Sequence, residues 1–152
     1  MATQYTLITP DPLIPEEVTA HVRGAANGGV VTFLGTAREQ TMGNRVLRLE
    51  YEVYEEMAIK RFRDIFGELA ERWGVTDAAI AHRYGRLEIG EISMVVAVAT
   101  PHRKEAFAAC WHAVDRIKEI APIWKKEFFE NGAVWVGCGA HAHEAQPAHS
   151  AS

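Results

Sequence analysis

The residues whose types and spacing first suggest chemistry are Lys118, Pro122 and Lys125, in "DRIKEIAPIWKKEFF" (115–129). Phe107, Trp111, Val114, Lys118 and Ala121 recur at steps of four and three, which puts them on one face of a helix. All but the lysine suit a core-facing stripe. A stripe lysine ordinarily lays its stem on apolar surface and snorkels its charge into water. Here Pro122 follows four residues later, where its ring clashes with the Lys118 carbonyl and withholds a donor from it. The helix must kink or stop, leaving Lys118 on the last regular turn, where carbonyls lack partners. The redirected chain can then bring Lys118 and Lys125 into one cleft beside Trp124. Burial and a second cation both disfavour a charged amine, whereas bound anions favour it, so the charge state stays open. A lysine so placed is a candidate nucleophile, acid–base group or carboxylate anchor.

A second cluster is "TPHRKEAF" (100–107), where a strand gives way to a helix and His102 and Arg103 stand at the helix start. Free N–H groups and the positive dipole end make such a place suited to phosphate or carboxylate, although polar strand-to-helix turns are common without any ligand. A third is Arg38, with Arg45 further along the same segment after "VVTFLG". His141, His143 and His149 lack cysteines or carboxylates at ligand spacing, so no metal site and no bound cofactor is expected. No P-loop, GxGxxG, HExxH or GxSxG occurs.

The elements that must position these residues follow from patterning. The chain has 152 residues, enough for one domain with its own core. Its formal charge of −4, from 16 basic and 20 acidic residues, argues against general nucleic-acid binding but not against a local cationic cleft. The start lacks a signal-peptide pattern, and the longest apolar run, "ISMVVAVAT", falls well short of a membrane span. A cytoplasmic protein is expected, with Cys110 and Cys138 as reduced thiols.

Strands are expected at 5–10, 28–35, 46–54, 78–85, 92–100 and 132–139, and helices at 15–24, 55–73 and after Pro101. In 46–54, Leu47, Leu49, Tyr51 and Val53 alternate with Arg48, Glu50 and Glu52, the pattern of a half-buried strand. Residues 36–45 read as a mobile loop around Gly43-Asn44. Residues 1–139 read as one domain and 140–152 as a disordered tail. From residue 46 the order is β-α-β-β-α-β, a split βαβ arrangement. Strands joined directly to strands argue for an α+β fold with a mixed or antiparallel sheet.

Taken by themselves these residues fit an enzyme acting on an anion, a module that only binds an anionic metabolite, or a small phosphate-ester hydrolase using Arg38 and Asn44. The blocks "GGVVTFLGTAR", "LEYEVYEEMA", "HRYGRLEIGE", "VAVATPHRKEAF" and "DRIKEIAPIWKKE" narrow the choice. Together, from about Gly28 to Trp135, they resemble the large, catalytic subunits of molybdopterin synthases.

The resemblance implies an α/β hammerhead-type fold with an added antiparallel sheet. It implies a sulfurtransferase that converts cyclic pyranopterin monophosphate into molybdopterin. Sulfur would come from the C-terminal thiocarboxylate of a small ubiquitin-like partner subunit, and large subunits would dimerise within a heterotetramer. Lys118 is then the active-site lysine and Lys125 its companion. Arg38, His102 and Arg103 would bind the anionic substrate, with Phe33 and Trp124 as apolar walls. Neither cysteine is required as nucleophile, because the partner carries the sulfur. One departure stands out. Relatives often carry a basic residue soon after the last-strand Trp, whereas "WVGCGAHAH" offers none before His141, which leaves Arg45 or His141 to substitute.

Overall fold

A computed structural model describes residues 2–138 and 146–148. The strands are β1 (Thr3–Thr9), β2 (Gly29–Thr36), β3 (Gln40–Thr41), β4 (Asn44–Val53), β5 (Asp77–Arg83), β6 (Gly85–Glu88), β7 (Ile92–Thr100), β8 (Ile123–Phe129), β9 (Val134–Cys138) and β10 (Gln146–Ala148). The helices are α1 (Pro15–Ala20), α2 (Glu55–Trp73) and α3 (Arg103–Ile120). The expected α+β class holds. One sheet has the order β1-β5-β7-β2 and is mixed, because β1 runs parallel to β5 while the other pairs are antiparallel. The other is antiparallel, in the order β10-β9-β8-β4-β3 with β6 also on β4.

The first sheet is covered on both faces, which explains why β7 shows no polar alternation. Met94, Val96 and Val98 pack into a cluster with Phe62, Ile65 and Leu69 of α2 and Ala109, Ala113 and Ile117 of α3. Val95, Ala97 and Ala99 point the other way, against Leu13, Val18 and Val22. Helix α2 ends as its sequence requires, with Gly74 at φ 67 closing the last turn. At the start of β2, a Cβ on Gly28 would stand 2.6 Å from the Pro101 carbonyl oxygen. Only glycine lets β2 come this close to the turn before α3.

Several expectations are corrected. The stripe Phe107–Trp111–Lys118 does not face the core. Phe107 is 62% and Trp111 74% exposed, Lys118 is exposed, and only Val114 and Ala121 of that set are buried. The inward face of α3 is Ala106, Ala109, Cys110, Ala113 and Ile117, mostly small side chains that let the helix lie close on the sheet. Residues 36–45 are not simply a loop but hold the short arm of a hairpin. Met42 and Gly43, at φ 52 and 81, form its two-residue turn, the geometry favoured between twisted strands.

In β4 the alternation breaks at Leu47. The register shifts between Val46 and Arg48, so Val46 is buried and Leu47 is 45% exposed. "GRLE" and "IWKKEFF", not expected as strands, are β6 and β8. Helix α1 stops at Ala20, short of the expected Gly24. Of the tail read as disordered, Gln146–Ala148 pairs with β9, and His141, His143 and His149 lie outside the described residues.

Candidate active site

Pro122 acts as its position requires. Helix α3 ends at Ile120, and Ala121, restricted by the proline that follows, is extended with ψ 134. β8 begins two residues later. Lys118 therefore stands in the last turn of α3. Because α3 runs back along β7, this is the end of the first sheet where β7 starts and β2 leaves toward Arg38.

Side chains alternate along β8. Ile123, Lys125, Glu127 and Phe129 share the face that carries Leu49, Tyr51 and Val53 of β4, and Trp124, Lys126 and Phe128 share the other. Tyr51 lies directly across from Lys125. Burial, helped by the Glu127 charge, pushes the Tyr51 phenol above its ordinary value, while the Lys125 charge, the nearby Ser93 hydroxyl and the Arg38 charge pull against it. Arg38 and Lys125 thus both act on one phenol. Glu127, 6% exposed, accepts a hydrogen bond from the Thr41 hydroxyl at 2.6 Å and pairs with Lys125 Nζ at 3.2 Å. Behind Tyr51, His82 meets its ring edge-on at 5.1 Å. The His82 Nδ1 lies 2.8 Å from the Arg83 carbonyl oxygen, so Nδ1 carries the proton.

The sequence-derived residues do not all meet in one chain. Lys118 stands at the end of α3 from which the chain turns into β8, the strand that carries Lys125. His102 caps the opposite end and Arg103 is the first helical residue there, both exposed. Fifteen residues of helix keep Arg103 about 22 Å from Lys118. At that far end His102 lines a groove of 330 Å³ with Asn27, Trp73, Thr76 and Glu105. Phe33 is partly exposed on edge strand β2, on the face that α3 covers. Trp124 stands on the opposite face of β8 from Lys125, so in a single chain it walls another surface. Arg45 lies six residues along β4 from Tyr51, about 20 Å away, and pairs weakly with Glu130 at 3.8 Å on the surface.

Thr41, Tyr51, Ser93 and Glu127 were not singled out as site residues from the sequence. The one available signal was the step of two between Lys125 and Glu127, which in a strand sets both on one face. Among the described residues, no cluster of three or more His, Cys, Asp or Glu could hold a metal ion, and no helix is long and apolar enough to cross a membrane.

Known proteins share both the sequence and this architecture. Residues 8–120 match the family described as MoaE protein. A molybdopterin synthase catalytic subunit from Bacillus subtilis is 48% identical over 130 residues, 86% of this chain and 83% of that one. The crystal structure of a molybdopterin synthase from Staphylococcus aureus superposes with a TM-score of 0.81 at 41% identity, covering 86% of this chain and 95% of that one. A Burkholderia ambifaria structure described as a molybdopterin biosynthesis MoaE protein gives 0.77 at 32% identity, covering 95% and 94%.

Proposed function

This chain belongs to the MoaE protein family, and from that premise we propose that it is the catalytic subunit of a molybdopterin synthase, working in the cytoplasm in molybdenum cofactor biosynthesis. It converts cyclic pyranopterin monophosphate into molybdopterin, taking the dithiolene sulfurs from the C-terminal thiocarboxylate of a small ubiquitin-like subunit. The observation that carries this reading is the break at Pro122, which leaves Lys118 ending α3 and Lys125 on the face of β8 that carries Glu127 and lies across from Tyr51. A phosphate-bearing pterin and a thiocarboxylate are both anions, and fixed cations at such a place gather and orient them. Lys118 and Lys125 orient the thiocarboxylate and assist the proton transfers that accompany sulfur attack.

His102 and Arg103 fit this reading when two copies associate. The outward stripe of α3 carries Phe107 and Trp111, large apolar side chains of the kind that mark association surfaces. Cys110 and Trp111 lie midway between Arg103 and Lys118. Two α3 helices packed antiparallel about that midpoint bring the Arg103 of one copy beside the Lys118 of the other. The pocket is then composite, and homodimerisation is a condition of the chemistry.

The test is sulfur transfer in vitro with a thiocarboxylated small subunit and cyclic pyranopterin monophosphate, read as the oxidised fluorescent derivative of the product. Lys118→Ala should lower turnover by roughly 10²–10³-fold while the protein stays folded and still binds the partner. A wild-type protein that binds the pterin but makes no product would sink the reading in favour of a binding module.

A further inference from the structure

We infer that Thr41 is a positioning residue for Lys125, its hydroxyl acting through the buried Glu127 carboxylate to fix where the ammonium stands relative to Arg38. The inference rests on the reading of Lys125 and Arg38 as pocket cations. Glu127 is 6% exposed and has little access to water, so each carboxylate oxygen depends on a protein donor. Oε2 takes the Thr41 hydroxyl at 2.6 Å and Oε1 faces Lys125 Nζ at 3.2 Å. The carboxylate is thus held from two sides, by the hairpin and by the lysine.

Thr41 stands on β3, only two residues long and joined to β4 through Gln40↔Arg45 and Thr41↔Asn44. So short a ladder holds itself weakly. The Thr41–Glu127 bond joins it to β8, 86 residues away in sequence. Arg38 lies three residues before Thr41 on the same arm, so this bond ties the segment bearing one cation to the strand bearing the other. Without the hydroxyl, Oε2 loses its donor. The carboxylate then turns further toward Lys125, and the ammonium moves with it. The threonine methyl has no part in this, so serine should serve in its place.

Two readouts separate this from a general loss of structure. Reductively ¹³C-methylated protein gives an NMR signal for each lysine without any substrate, and Lys126, on the opposite face of β8, serves as the internal control. Thr41→Val and Thr41→Ala should shift the Lys125 signal and leave Lys126 in place. In the sulfur-transfer assay both should lower kcat by roughly tenfold to a hundredfold, with KM for the pterin changed far less. Thr41→Ser should restore the signal and the rate. An unmoved Lys125 signal, an unmoved kcat in a folded variant, or an equal loss in Thr41→Ser overturns the inference. A wild-type protein that makes no product counts against the sulfur-transfer reading alone, and the Lys125 signal still decides for or against Thr41.

Discussion

His82 in the first sheet and Glu127 in the second are nearly equally buried, 4% and 6% exposed, yet the two sheets treat them in opposite ways. His82 sits on β5 with its ring edge-on to Tyr51 and no carboxylate partner among the described residues, and burial drives its pKa down to about 4. It is buried by being kept neutral. Glu127 is buried with both oxygens engaged, one by a hydroxyl and one by an ammonium. The first sheet, closed by helices on both faces, keeps its charged residues to the ends of β5, at Asp77 and Arg83. The second keeps the Glu127 charge in its interior and pairs it with Lys125. On the proposed reading the first is the scaffold, and the second carries Lys125, one of the cations that would meet an anionic substrate. Substitutions of buried residues in the first sheet and its helices should change stability, and substitutions of the exposed candidate cations should change chemistry.

Ile117 and Lys118 put that division to its severest test because they are neighbours on α3. Ile117 is 2% exposed within the core cluster, whereas Lys118 is exposed. Ile117→Ala should cost about 2–5 kcal/mol of stability, at about 2–4 °C of Tm per kcal/mol for a domain of this size. Turnover per folded molecule should be nearly unchanged. Lys118→Ala should give the reverse pattern. Calorimetry and the turnover assay on the same two preparations check it, and an Ile117→Ala protein of wild-type Tm would break the division.

The next effect is a pH dependence. The His82 pKa falls from 6.5 in the unfolded chain to about 4 in the native one. Between those values the unfolded chain binds a proton that the native state does not, so stability rises with pH across this window. The contribution is fully present above pH 6.5 and is lost as pH falls toward 4, on the order of 3 kcal/mol in all. Urea unfolding at a series of pH values from 4.5 to 7 should show the slope, and His82→Gln should flatten it whatever its own cost at pH 7. An equal slope in the variant would mean that other groups carry the titration.

The same contrast explains what could be read from the sequence. β7 and α2 were legible because burial on the first sheet leaves long apolar runs and a clear helical period, as in Phe62, Ile65 and Leu69. β8 was not. Its inner face alternates Ile123, Lys125, Glu127 and Phe129, and its outer face Trp124, Lys126 and Phe128, so each face mixes apolar and charged residues and the period of two disappears. Pro122 made the end of α3 readable, since a ring in place of an N–H acts locally. The direction of α3 was misread because hydrophobicity alone favoured Phe107 and Trp111 over alanines, whereas close packing on a sheet favours small side chains. The cations themselves were readable as types. Thr41 and Glu127 were not, because the bond between them spans 86 residues and depends on a strand that the pattern hides.

The smallest expected change in stability sharpens the comparison from the outer side of α3. Trp111 is 74% exposed in a single chain, so Trp111→Ala should alter the stability of the monomer by no more than about 0.5 kcal/mol. If the aromatic stripe is where two copies meet, the same change should shift the protein from dimer to monomer in sedimentation velocity and lower turnover with it. A second observation separates a shared site from simple pairing. Lys118→Ala and Arg103→Ala subunits, each weakly active alone, damage opposite halves of a composite pocket. Mixed and re-associated at random, half of the dimers carry one of each, with one of their two pockets intact, so about a quarter of wild-type activity should return in a two-fold symmetric dimer. No recovery, with mixed dimers shown to form, would place Arg103 outside the pocket and leave Lys118, Lys125 and Arg38 as a site contained within one chain.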